Sequence, residues 1–134
     1  EPEDGLSYRY YTTMDGMYDK YLNNPNDSEY YLPKKMRDLY QKQDYGRYGD
    51  KDGRLRVCFL TDAHTTSGNS GSAVVNAKGE LVGINFDRLW QGVASDYRYN
   101  RDICRNIVVD IRYILFVLEK YAPSSYVFDE IHIE

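Results

Sequence analysis

Tyr8, Tyr10 and Thr12 alternate with their neighbours, a two-residue period that predicts a strand over residues 6–13. Met14, Met17, Tyr18 and Tyr21 then recur at helical spacing, so residues 15–23 are expected to form a short helix with one apolar stripe. The polar run Asn23-Asn24-Pro25-Asn26-Asp27 ends it. Pro33 suits the first turn of a second amphipathic helix, which carries Met36, Leu39 and Tyr40 and ends near Lys42. Gly46, Gly49 and Gly53 mark a polar connection before a strand over residues 55–60. Apolar runs at 72–77 and 80–86 are joined by Asn76-Ala77-Lys78-Gly79, a hairpin turn with glycine where a left-handed residue is needed. Residues 91–101 read as a polar loop with a short strand, and residues 105–109 as a strand. Asp110 opens a helix whose Ile111, Ile114, Leu115, Leu118 and Tyr121 share one side until Pro123 stops it. Alternation over residues 127–133 predicts a last short strand. The expected fold is mainly β, with short helices in the N-terminal third and one helix near the C-terminus.

A chain of 134 residues, 42% hydrophobic and with a net charge of −4, reads as one soluble domain. Residues 1–50 form its strand-and-helix lead-in and residues 51–134 the remainder. The acidic balance argues against nucleic acid as a partner, since phosphate recognition needs a basic face. No apolar run is long enough to predict a membrane span. The opening Glu1-Pro2-Glu3-Asp4 lacks the features of an export leader. No metal or cofactor is expected. Ten of the 15 tyrosines fall within the first 48 residues, a pattern better suited to a half-wet packing layer than to a ligand platform. Cys58 and Cys104 lie on apolar stretches, and either a bridge or two buried thiols fits them.

The chemistry concentrates between Thr65 and Trp90. Gly68-Asn69-Ser70-Gly71-Ser72 sets a serine among small residues just before an apolar run, the pattern of a hydroxyl displayed on a tight loop at the mouth of a strand. Ser70 is the candidate nucleophile, and the N–H groups of Gly68 and Ser70 are the candidate oxyanion donors. Serine needs a base to become nucleophilic, ordinarily a histidine oriented by a carboxylate. His64 lies in the same loop and would have to fold back over the oxyanion hole; His132 falls near the C-terminus, on the expected last strand. Neither is a suitable base. Asp87 and Arg88 end the strand that pairs with the one starting beside Ser70, which puts a pocket next to the serine.

The serine loop resembles the chymotrypsin-type G-D-S-G-G loop, with Asn69 for aspartate and Ser72 for the last glycine. Three longer stretches are similar to the C-terminal part of bacterial periplasmic dipeptidyl-peptidases with a chymotrypsin-like double barrel. They are residues 64–74, Gly83-Ile84-Asn85-Phe86-Asp87-Arg88-Leu89-Trp90, and Val109-Asp110-Ile111-Arg112-Tyr113-Ile114-Leu115-Phe116. Tyr11-Thr12-Thr13-Met14-Asp15-Gly16 and Asp44-Tyr45-Gly46-Arg47-Tyr48 carry the likeness upstream.

The resemblance implies that this chain is the second, serine-bearing half of such a double β-barrel, and that the catalytic histidine and aspartate precede it in the parent. Alone it would be inactive. Arg88 would receive the acidic side chain before the scissile bond, as in members that prefer Asp or Glu, and Asp87 would pair with the substrate's α-ammonium. The residues alone leave Arg88 equally open to a surface pair with Asp87 or Asp96. The implied partners are peptide substrates, the missing first barrel and a homodimer of the parent, in the periplasm. A non-enzymatic peptide- or glycan-binding module on a protease-like scaffold is the alternative.

Overall fold

The computed structural model describes residues 7–133; Leu6, at the start of the first expected strand, lies outside them. Five strands form one sheet in the order β1-β2-β5-β4-β3: β1 (Tyr11–Thr13), β2 (Arg56–Thr61), β3 (Ala73–Val75), β4 (Leu81–Arg88) and β5 (Asn106–Asp110). β2 and β5 run antiparallel with Cys58 opposite Val109, and β3 and β4 antiparallel with Ala73 opposite Ile84. The helices are α1 (Met14–Asn23), α2 (Lys34–Gln41), α3 (Ile111–Phe116) and α4 (Ser125–Glu130), with 3-10 turns at Ser28–Tyr30, Gly46–Tyr48 and Trp90–Asp96. Helical segments hold more residues than strands, so the chain is mixed α/β rather than mainly β.

Contacts sort the described residues into two compact units, one running up to Thr12 and over Cys58–Val109, the other over Thr13–Val57 and onward from Asp110. In the second, Met14, Met36, Tyr48, Leu55 and Phe116 are buried together, which is where the helical stripes read from the sequence come to rest. Burial of the Tyr45 ring raises its phenol to about 12, so it remains a neutral packing group. Asp110 caps α3 as expected, its carboxylate accepting the Arg112 N–H at 2.9 Å. After Phe116 the helix loosens into a π turn over Val117–Tyr121, and the Ala122 N–H reaches back to the Val117 carbonyl at 2.7 Å. Pro123 has no N–H to continue it.

Asp50 organises the turn before β2. One carboxylate oxygen accepts the N–H groups of Asp52 and Arg54 at 2.9 and 3.0 Å, and the other takes the Arg56 guanidinium at 3.3 Å. The Arg54 N–H bond is the main reason the carboxyl lies below its ordinary range. A depressed folded pKa contributes stability above the unfolded value and loses it as pH falls through the folded one. The stability gap between the native chain and Asp50→Asn is therefore expected to shrink below about pH 4. Urea midpoints measured from pH 7 to pH 3 check this.

In the first unit, Val108 is fully buried and Gly83 lies against it. A Cβ on Gly83 would stand 2.4 Å from the Val109 carbonyl oxygen and 2.5 Å from Val108 Cγ1. A backbone oxygen in a paired strand cannot retreat as a side-chain tip can, so β4 or β5 would have to shift. Gly83→Ala is expected to destabilise by about 3 kcal/mol or more, the upper end of overpacking costs, and the urea midpoint of the purified protein reports it.

Three expected elements differ from those observed. The strand over residues 127–133 is a helix, α4, because the half-buried positions Ser124, Val127 and Phe128 follow helical spacing, and Phe128 packs on the core of its unit. His132 follows that helix, exposed and outside any strand. The strand over residues 6–13 shortens to β1. Tyr10 gives its carbonyl to the Leu60 N–H at 2.7 Å, but the Cys58 N–H goes to the Thr12 hydroxyl at 3.2 Å instead of to a backbone partner. Residues 91–101 contain a 3-10 turn and no strand. Cys58 and Cys104 are unbridged thiols.

Candidate active site

Ser70 sits between two glycines in the left-handed region, Gly68 at φ 90° and Gly71 at φ 87°, where a side chain would be strained. The loop is tied down on both sides. The Thr66 N–H donates to Asn69 Oδ1 at 2.7 Å, and the Asn69 N–H returns to the Thr66 carbonyl at 3.3 Å. The Gly71 N–H donates to the Asn85 carbonyl at 2.8 Å, and the Asn85 N–H to the Ser72 carbonyl at 2.8 Å, which ties the loop to β4. The Thr65 hydroxyl donates to Asn106 on β5 at 3.3 Å.

These bonds leave a pattern. The N–H groups of Asn69 and Gly71 are spent, whereas among the described residues those of Gly68 and Ser70 donate to no protein acceptor. Two unspent donors, one of them the serine's own N–H, accompany an exposed serine whose Oγ donates to the Phe86 carbonyl at 3.2 Å. Such a loop is suited to holding an oxyanion beside a nucleophile. No base accompanies it: among the described residues, neither a histidine nor a carboxylate touches Ser70 Oγ. The exposed His64 lies against the Tyr99 ring instead, 4.8 Å between centroids.

β4 carries Asp87 and Arg88 into the same unit. The Asp87 carboxylate accepts the Arg88 N–H at 2.7 Å and is exposed. Arg88, its side chain 22% exposed, grips Asp96 with both terminal nitrogens, Nη1 to Oδ1 at 2.8 Å and Nη2 to Oδ2 at 3.1 Å, and also reaches the Thr65 carbonyl at 3.4 Å. The hydrogen-bonded pair holds the Asp96 carboxyl below its usual range and the Arg88 guanidinium above. Arg88 also lines a small depression with His64, Thr65, Gly92, Tyr99 and Cys104. Of the pairs the residues alone leave open to its side chain, Arg88 makes the one with Asp96, and the depression it lines reaches Thr65 but not Ser70.

The brace around this depression carried no signal in the sequence. Asp62, just beyond β2, accepts Arg101 Nε at 2.9 Å and lends its carbonyl to the Tyr99 hydroxyl. Asn85 is equally unannounced: 5% exposed, it lies under the loop with its side-chain oxygen unpartnered. Among the described residues no cluster of side chains forms a metal site, and no helix is long and apolar enough to cross a membrane.

The chain belongs to the peptidase S46 family, which it matches over residues 1–133. It is 49% identical over 132 residues to the Asp/Glu-specific dipeptidyl-peptidase of Capnocytophaga gingivalis, a match covering 98% of this chain and 18% of that protein. The dipeptidyl-peptidase 7 of Phocaeicola vulgatus is 41% identical over the same shares. Among solved structures, Porphyromonas endodontalis DPP11 in complex with the dipeptide Arg-Asp superposes with a TM-score of 0.94 at 42% identity, covering 100% of this chain and 19% of that one. The complex of the same protein with Arg-Glu gives 0.91 at 43%, over 97% and 18%. The chain thus spans about a fifth of the length of these relatives.

Proposed function

We propose that this chain is the serine-bearing portion of a longer exopeptidase that releases N-terminal dipeptides, with preference for Asp or Glu before the cut. The observation that carries the reading is the alternation of N–H groups in the loop, spent at Asn69 and Gly71 and unspent at Gly68 and Ser70 around an exposed hydroxyl. The names of the S46 relatives supply the substrate class.

Ser70 Oγ attacks the scissile carbonyl, and its proton passes to a histidine that the remainder of the parent supplies, oriented there by an aspartate. The Gly68 and Ser70 N–H groups stabilise the oxyanion. The histidine returns the proton to the leaving amine, and water then hydrolyses the ester and releases the dipeptide. Arg88 takes the acidic side chain, and Asp87 the free α-ammonium. The likeness of the Gly68–Ser72 loop to the chymotrypsin type supports a double barrel for the parent, and the likeness to periplasmic dipeptidyl-peptidases supports a periplasmic location.

An organofluorophosphonate probe tests the reading in the full-length protein. One equivalent is expected on Ser70 and none on Ser70→Ala. Absence of labelling in a folded protein that still binds peptides would turn the reading to a binding module.

A further inference from the structure

The guanidinium assigned to the substrate's acid already holds a carboxylate. Arg88 grips Asp96 through both terminal nitrogens, at 2.8 and 3.1 Å, in the two-pronged geometry by which arginine recognises Asp and Glu side chains. We propose that Asp96 is a tethered competitor for Arg88, a specificity-determining residue that an incoming acidic side chain displaces. The inference rests on the reading of Arg88 as the pocket residue and deepens it.

Three features favour displacement over a fixed structural pair. Asp96 is the more exposed partner, 40% against 22%, so its carboxylate can return to water. It closes the 3-10 turn Trp90–Asp96 and is followed by Tyr97, which is 97% exposed. Arg88 also has an anchor that does not depend on Asp96, the Thr65 carbonyl at 3.4 Å, so the guanidinium keeps its place when Asp96 leaves. Partly exposed pairs of this kind are weak, which keeps the exchange reversible.

The exchange has a consequence for selectivity. An acidic side chain gains only the difference between its own pair with Arg88 and the pair it replaces. An apolar side chain leaves Arg88 still partnered by Asp96. Asp96 therefore compresses the preference for acids from both ends. Apparent affinity scales with the fraction of protein in which the fork is available, so removing the competitor tightens acidic ligands.

In the full-length peptidase, Asp96→Asn is expected to lower KM for Asp and Glu dipeptidyl substrates about two- to tenfold, with kcat little changed. The kcat/KM for a Leu substrate should stay level or fall, so the Asp-to-Leu ratio rises. Asp96→Glu keeps a carboxylate in reach and should stay near the native ratio. Calorimetric binding of the dipeptide Arg-Glu should tighten in Asp96→Asn by the same factor, a readout independent of turnover. Asp96→Ser serves as the second competitor-free variant should the asparagine form fold poorly.

An unchanged or raised KM in folded Asp96→Asn overturns the proposal and makes Asp96 a positioning residue. An equal fall in Asp102→Asn, an exposed carboxylate of the same unit, also overturns it, by assigning the effect to net charge. Arg88→Gly in the same assay separates the two levels. A collapsed ratio there with no gain in Asp96→Asn removes only the competitor, whereas an unchanged ratio in Arg88→Gly removes the pocket reading itself.

Discussion

Ser70→Ala, in the full-length protein that carries this chain, is expected to lower kcat for dipeptide release by about 10⁴- to 10⁶-fold. Nucleophile, base and orienting acid act as a unit, and loss of the nucleophile leaves only binding and the oxyanion donors. Those donors are backbone groups of Gly68 and Ser70, so the alanine form retains them and KM should change little. Stability should hardly move either. The hydroxyl makes one exposed hydrogen bond, to the Phe86 carbonyl at 3.2 Å, and such a bond is worth on the order of 1 kcal/mol. The same weakness lets Oγ rotate away from Phe86 toward a base. Residual kcat within tenfold of native, with the purity of the variant established, would dismiss Ser70 as nucleophile. The isolated chain should have no turnover for the same reason, since among its described residues none stands as base to Ser70.

Arg88→Gly is expected to shift specificity rather than activity as such. Cleavage after Asp and Glu should fall about 10- to 100-fold in kcat/KM, while cleavage after Leu stays level or rises. An unpaired buried guanidinium would discriminate more strongly than this. The Asp96 contact moderates the effect, because an apolar side chain in the pocket does not leave Arg88 without a partner. Arg88→Lys should recover part of the loss, since an ammonium offers a point charge and no fork. Paired substrates differing only in Asp or Leu before the cut give the ratio. A ratio unmoved by the glycine variant would confine Arg88 to its pair with Asp96. Folding should survive, for the side chain lies at the end of β4 rather than within the Val108 core.

Regular elements were legible where a local period carries them. The stripe of Met14, Met17, Tyr18 and Tyr21 marks α1 because residues three and four apart share a helix face whatever they pack against. Asn76-Ala77-Lys78-Gly79 turns the chain because Asn76 Oδ1 can take the Lys78 and Glu80 N–H groups, at 2.9 and 3.1 Å, from within the turn itself. Asp110 caps α3 from two residues away. The glycines around Ser70 likewise state their backbone requirement in the sequence.

Short or aperiodic stretches were another matter. Over residues 127–133 the letters fit either period, and packing of Phe128 chose the helix. At the candidate site, the family likeness, the candidate serine and its glycines could be read directly, because these are residue types at fixed local spacing. Folding alone sets that the Gly71 N–H is spent, since its acceptor at Asn85 arrives on β4, and where the Arg88 guanidinium points, since its partner lies on a turn with no periodic signal. Those are contacts between segments distant along the chain, and pairing of that kind is set by the fold rather than by any local pattern.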